Sequence, residues 1–168
     1  MTVVAAKPEL PTEEKALVSS LESLGDKVKL SYARRGRVRY LVQRENLLEV
    51  VRFVKDQLHF DHLESLTGTD FPKDKQLEVV YHLGSIDGPS PRRVILALSC
   101  RLPSGDPILP SLIELFPSSN YHERETAEML GIIFQGHPNL TRFMLPEDWD
   151  DIPPLLKSYR LPGRLEGE

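Results

Sequence analysis

The sequence predicts an α+β domain, with a mixed or antiparallel sheet and flanking helices, followed by an extended Pro-rich C-terminal arm. Three observations carry that expectation. Helix-period and strand-period stretches alternate in the order helix, hairpin, helix, strand, strand as far as residue 102. The 168 residues are enough for one domain with a sizeable core. Twelve of the 14 prolines lie beyond residue 70, and the stretch from Leu145 onward keeps no period. The predicted division is a loose lead-in over residues 1–11, the domain over 12–143 and the arm over 144–168.

Pro8 and Pro11 punctuate the lead-in. Thr12 is the expected cap of a helix whose first turn holds Glu13 and Glu14, where the helix dipole favours acids. Leu17, Leu21 and Leu24 follow at helical spacing, and Gly25 suits the stop. Val28 and Leu30 alternate with Lys27 and Lys29. Arg34-Arg35-Gly36 reads as a turn, and Val38, Tyr40 and Val42 alternate again, which makes a hairpin. Leu47, Val51, Val54 and Leu58 mark a second amphipathic helix. After a polar stretch, Leu77, Val79, Tyr81 and Leu83 form a strand, the loop at residues 84–89 breaks it, and Val94, Leu96, Leu98 and Cys100 form the next. Ser118 or Ser119 is positioned to cap a short helix, and Arg124 and Glu128 are spaced to pair along it. Gly131 suits its end, and Gly136-His137-Pro138 turns the chain after the apolar Ile132-Ile133-Phe134. The arm keeps Leu145, Trp149, Ile152, Leu155, Leu156, Tyr159 and Leu161, apolar groups that need a surface to cover, while Pro146, Pro153, Pro154 and Pro162 forbid a continuous helix.

Composition narrows the functions. Hydrophobic residues make up 40% and charged residues 27%, as in ordinary soluble domains. A formal charge of −4 argues against a dedicated nucleic-acid binder. One cysteine, Cys100, makes no internal disulfide and holds no iron–sulfur cluster or structural zinc alone. No apolar run reaches the ~18 residues that span a bilayer, and the N-terminus lacks the basic and long apolar regions of a signal peptide. No dinucleotide fingerprint, P-loop or Gly-x-Ser-x-Gly elbow occurs, so neither a cofactor-binding nor a nucleophilic catalytic residue is expected in this chain.

The densest chemistry lies in residues 123–142. Glu123-Arg124-Glu125, Glu128, Met129-Leu130, Gly131, Gly136-His137-Pro138 and Arg142 together resemble the signature of the 30-kDa subunit family of respiratory complex I (NADH-quinone oxidoreductase), which includes related membrane-bound hydrogenase and dehydrogenase subunits. Pro110-Ser111-Leu112 with Phe116-Pro117 is similar to the family's lead-in, Leu145-Pro146-Glu147-Asp148-Trp149 to its continuation, and Val79-Val80-Tyr81-His82-Leu83 to its central strand. The resemblance covers roughly residues 60–160. Four places depart from it. Thr141 stands where a basic residue is usual, Phe143 where a smaller aliphatic is usual, Glu128 where aspartate is common, and Leu156-Lys157-Ser158 follows Pro154-Leu155 in place of Arg-Lys-Asp.

That resemblance implies a cofactor-free structural subunit in the peripheral arm of a membrane-associated oxidoreductase, on the cytoplasmic membrane face or the matrix or stromal face of an organelle. Its partners would be a large 49-kDa-type subunit and neighbouring iron–sulfur subunits. Iron–sulfur clusters, and the quinone or nickel–iron site, would lie in those partners. The alternative within the family is the equivalent subunit of a membrane-bound nickel–iron hydrogenase. Under either reading Glu123, Arg124, Glu125, Glu128, Gly131, His137, Pro138, Arg142 and Trp149 are the expected interface residues, with Arg124 in a buried or half-buried charge pair.

Two rival readings stand beside it. His122, Glu125 and His137 are a conceivable ligand set for a metal-dependent hydrolase, and His59 and His62 sit three apart, but no His-Glu-x-x-His element supports either. Lys27, Lys29, Arg34, Arg35, Arg37 and Arg39 make the hairpin basic. This suits a solvated sheet edge, or an electrostatic patch for RNA, anionic lipid or an acidic subunit.

Overall fold

In a computed structural model, residues 10–86 and 93–160 are described. Helix α1 (Thr12–Glu22) leads through a 3-10 turn into the hairpin β1 (Val28–Arg34) and β2 (Arg37–Val42). Helix α2 (Leu47–Leu58) then crosses to β3 (His62–Phe71), β4 (Gln76–Gly84) and β5 (Ile95–Pro103). The short β6 (Ile108–Pro110), α3 (Ser119–Leu130) and β7 (Ile133–Gln135) follow. The architecture is the predicted α+β class with a mixed sheet. The five strands lie in the order β1-β2-β5-β4-β3, with β2 and β5 parallel and the other pairs antiparallel. Strands β6 and β7 pair separately, in parallel.

Period-two alternation sorts the sheet into two faces. Val38 and Tyr40 of β2, Leu96 and Leu98 of β5, and Val79 and Tyr81 of β4 share one core with Leu17 and Leu21 of α1 and Leu47, Val50, Val51 and Val54 of α2. The Tyr40 hydroxyl donates to the Val18 carbonyl of α1 at 3.4 Å, on this same face. Gly68 of β3 also lies here, because Cβ atoms alternate in register with Val79. A methyl at Gly68 would meet Leu130 Cδ1 at 2.2 Å and Thr126 Cγ2 at 3.2 Å, so a glycine there lets α3 settle onto the sheet.

Several local expectations need correction. Strand β3 is absent from the predicted order, because a bulge between Leu63 and Ser65 spaces the buried Leu63 and Leu66 three apart and hides the two-residue period. Pro11, not Thr12, occupies the cap of α1 and supplies no side-chain bond. Glu14 is buried, and its Oε1 accepts the Gly36 N–H at 2.7 Å, so this acid clasps the hairpin turn. Ser118 takes the cap position of α3 in helical geometry without a side-chain bond, and Ser119 is buried inside the first turn. Gly131 closes α3 at φ 74°, as expected of a left-handed helix end.

Residues 144–160 contain no helix or strand. They lie back against the body. The Leu155 N–H donates to the Met129 carbonyl at 3.0 Å, the Lys157 N–H to Asp70 Oδ2 at 2.8 Å, and Leu156 packs on the core. Pro8, Leu161, Pro162 and residues 87–89 of the predicted break at 84–89 fall outside the described residues.

Candidate functional site: the α3 signature and the loop it holds

Helix α3 is short, and its charged residues point in different directions. Glu123 is fully buried. Its Oε2 accepts the Ser111 hydroxyl at 2.6 Å and its Oε1 the Leu112 N–H at 2.8 Å, so the carboxyl pins the chain that leads from β6. Burial pushes the Glu123 pKa up, and the Ser111 and Leu112 hydrogen bonds oppose that shift, as does the His137 ring. Glu128, also buried, faces the opposite end of the signature. Its carboxylate accepts the N–H of Phe143 at 2.8 Å and of Met144 at 3.1 Å, with a longer contact of 3.4 Å from Leu145. These two acids act as clamps within the chain. No part of the Glu123 side chain is exposed, and the Glu128 carboxylate is engaged by the loop backbone.

The expected Arg124–Glu128 pair does not form. Arg124 is half-buried and reaches across to the loop. Its Nε donates to the Thr141 carbonyl at 3.0 Å and its Nη2 to the Thr141 hydroxyl at 3.4 Å. The guanidinium lies 4.5 Å from the Phe143 ring centroid and 5.7 Å from that of Tyr121. The two rings meet edge to face, with centroids 5.8 Å apart. Two departures from the expected pattern thereby gain a physical role. A basic residue at 141 would repel Arg124, whereas Thr141 accepts from it, and an aliphatic at 143 would offer no ring face.

Gly131, Glu128, Arg142 and Trp149 line one cleft of about 330 Å³, with Leu145 and Pro153. Arg142 Nη1 donates to the Trp149 carbonyl at 2.5 Å, and Trp149 Nε1 to the Ile152 carbonyl at 3.3 Å. The Trp149 ring stacks at a tilt on Tyr159, 5.7 Å between centroids. Glu125 and Pro138 are exposed. His137 Nε2 donates to the Asn120 carbonyl at 3.3 Å and Nδ1 accepts the Asn139 N–H at 3.0 Å. Both ring nitrogens are therefore engaged. Among the described residues no three His, Cys, Asp or Glu side chains converge as a metal ion would require, so His122, Glu125 and His137 do not form the ligand set of the hydrolase reading. Cys100 is buried in the core, and burial pushes its thiol pKa up to about 12.

Around the clamps, Tyr121 touches Phe143, and Met144 follows it in the chain. Tyr121, Ile133, Phe143, Met144, Ile152 and Leu155 are exposed, between 41% and 63%. Sequence reading overlooked Tyr121 and Met144 as site residues. The available signal was Tyr121 one turn before Arg124, and two large apolar residues on a loop with no period of its own.

Comparison with known proteins agrees with the sequence resemblance. Residues 40–165 match the model of the family described as respiratory-chain NADH dehydrogenase, 30 Kd subunit. The chain belongs to that family. It is 41% identical over 123 residues to an F(420)H(2) dehydrogenase subunit of Methanosarcina mazei, covering 73% of this chain and 75% of that protein. It is 39% identical over 133 residues to an NADH-quinone oxidoreductase subunit of Streptomyces coelicolor, covering 77% of this chain and 51% of that protein, about half its length. Among solved structures, the trypsin-resistant fragment (1-134) of Nqo5 superposes with a TM-score of 0.62 at 26% identity, over 75% of this chain and 97% of the fragment. No helix of the described residues is long and apolar enough to cross a membrane.

Proposed function

We propose that this chain is a non-catalytic structural subunit in the peripheral arm of a membrane-associated, complex I-like oxidoreductase, docked on the large 49-kDa-type subunit. The observation that carries the reading is the exposed apolar surface around Phe143, Met144 and Tyr121, held out by the Glu128 and Arg124 contacts. An ordered apolar patch rimmed by charge is what a protein partner covers. Residues 12–143 act as the docking domain, and residues 144–168 as the arm that continues from its own surface onto the partner. Of the nine expected interface residues, Arg124, Glu125, Pro138, Arg142 and Trp149 rim the contact. Glu123, Glu128, Gly131 and His137 serve it indirectly, by fixing the loops.

Iron–sulfur clusters and the quinone site belong to partner subunits, and this chain contributes no electron carrier. The named relatives are subunits of an F(420)H(2) dehydrogenase and an NADH-quinone oxidoreductase, which favours that branch over the nickel–iron hydrogenase one. The subunit sits on the cytoplasmic, matrix or stromal face of the membrane. The test is co-purification with the large subunit after Arg124→Ala. Loss of the Thr141 and ring contacts should release the loop and lower recovery of the pair. Undiminished recovery would overturn the docking role.

A further inference from the structure

The second face of the five-stranded sheet carries none of the described helices. The α1 contact at Tyr40 and the α3 contact at Gly68 both lie on the core face. Register places Lys29, Arg34, Arg37, Arg39, Arg101 and Glu78 on the open side. Glu78 is buried beneath two of the cations, 2.8 Å from Arg39 Nη2 and 3.1 Å from Arg101 Nε, which holds both guanidiniums in place. Asp74 adds a looser contact with Arg101 at 3.6 Å. Arg34 and Arg37 have no carboxylate partner among the described residues. The floor between them is formed by Val80, Ala97 and Ser99, all buried. His82, on the same face, is driven toward its neutral form by burial, then by Arg37 and Arg39, a second sign that the face is electropositive.

We propose that this sheet face is a second docking surface, which receives a carboxylate-rich surface of a neighbouring protein subunit. The proposal rests on membership of a multi-subunit complex but is separate from the apolar surface beside α3. Four of the five cations are arginines, whose forked donors match carboxylates. Nucleic acid fits poorly. The two aromatic rings on this side are already covered, Tyr32 by Arg34 at 5.3 Å and Phe71 by Arg101 at 4.1 Å, so no open ring remains for base stacking.

The test uses the assembled complex, purified through a tag on this chain, with a photocrosslinking residue at the exposed Thr67 of the open face and a control at Glu13 of α1. Thr67 should crosslink to an acidic segment of one protein subunit. Arg34→Glu with Arg37→Glu should lower that yield about tenfold or more, because like charges would then meet across the contact. Reversing the acidic residues of the crosslinked segment to arginine should restore it. Absent crosslinks from Thr67 in a complex that still assembles would overturn the second surface and leave the first intact. Crosslinks to RNA or lipid would also overturn it. Failure to recover any complex would overturn both readings.

Discussion

Removing the Glu128 carboxylate with Glu128→Ala tests how the signature holds its loop. The acid accepts two backbone N–H groups at good distance, from Phe143 at 2.8 Å and Met144 at 3.1 Å. A hydrogen bond to a charged group is worth about 1.5–3 kcal/mol, so the pair sets an upper bound of roughly 3–6 kcal/mol. Phe143 and Met144 are exposed, and water replaces part of what the mutation removes. The expected loss is therefore ~2 kcal/mol, most of it local to the loop. Urea unfolding should report the global part. Amide hydrogen exchange should show protection falling at Phe143 and Met144 while Val79 and Leu98 in the central strands keep theirs. Glu128→Gln retains one acceptor oxygen without the charge and should fall between wild type and alanine. Unchanged protection at Phe143 and Met144 would refute the clamp.

Three further outcomes follow from the same structure. Glu123→Gln keeps an acceptor for the Leu112 N–H and removes the titration. Because the folded pKa of Glu123 lies above its ordinary 4.5, wild-type stability is favoured below that value and declines as pH rises through the folded pKa. Urea midpoints measured upward from pH 4 should thus show the glutamine variant gaining on wild type, and a pH-independent difference would contradict the burial argument. Gly68→Ala should cost ~1–3 kcal/mol, since the new methyl forces Leu130 from its packed position; a thermal midpoint equal to wild type would show that α3 yields freely. Cys100 should resist iodoacetamide in the native state at pH 8 and react on unfolding, because its buried thiol is held near pKa 12.

The core was legible because its periods are regular. Leu47, Val51 and Val54 of α2 and Val79, Tyr81 and Leu83 of β4 are buried as their spacing predicts. Strand β3 was not, because its bulge puts Leu63 and Leu66 out of step. Strands β6 and β7 have three residues each, too few to show a period, and pair across α3 rather than with a neighbour in sequence. Within the site, the residues were legible but their partners were not. Four-residue spacing suggested Arg124 with Glu128, yet tertiary contacts drew Arg124 to Thr141 and Phe143 and Glu128 to the loop backbone. Spacing along a helix ranks only local partners. It is silent about a loop that returns from 15 or 17 residues away.

The central claim is that α3 and its clamped loop present a surface for the large subunit. Phe143→Asp combined with Met144→Asp tests it most directly, because both side chains are exposed and neither belongs to the sheet core, so the body should stay folded. The measurement is stoichiometry with the large subunit after purification through a tag on this chain, alongside a thermal unfolding curve. The expected result is a folded subunit that no longer retains its partner. A folded double variant that still holds the large subunit one to one would contradict the account.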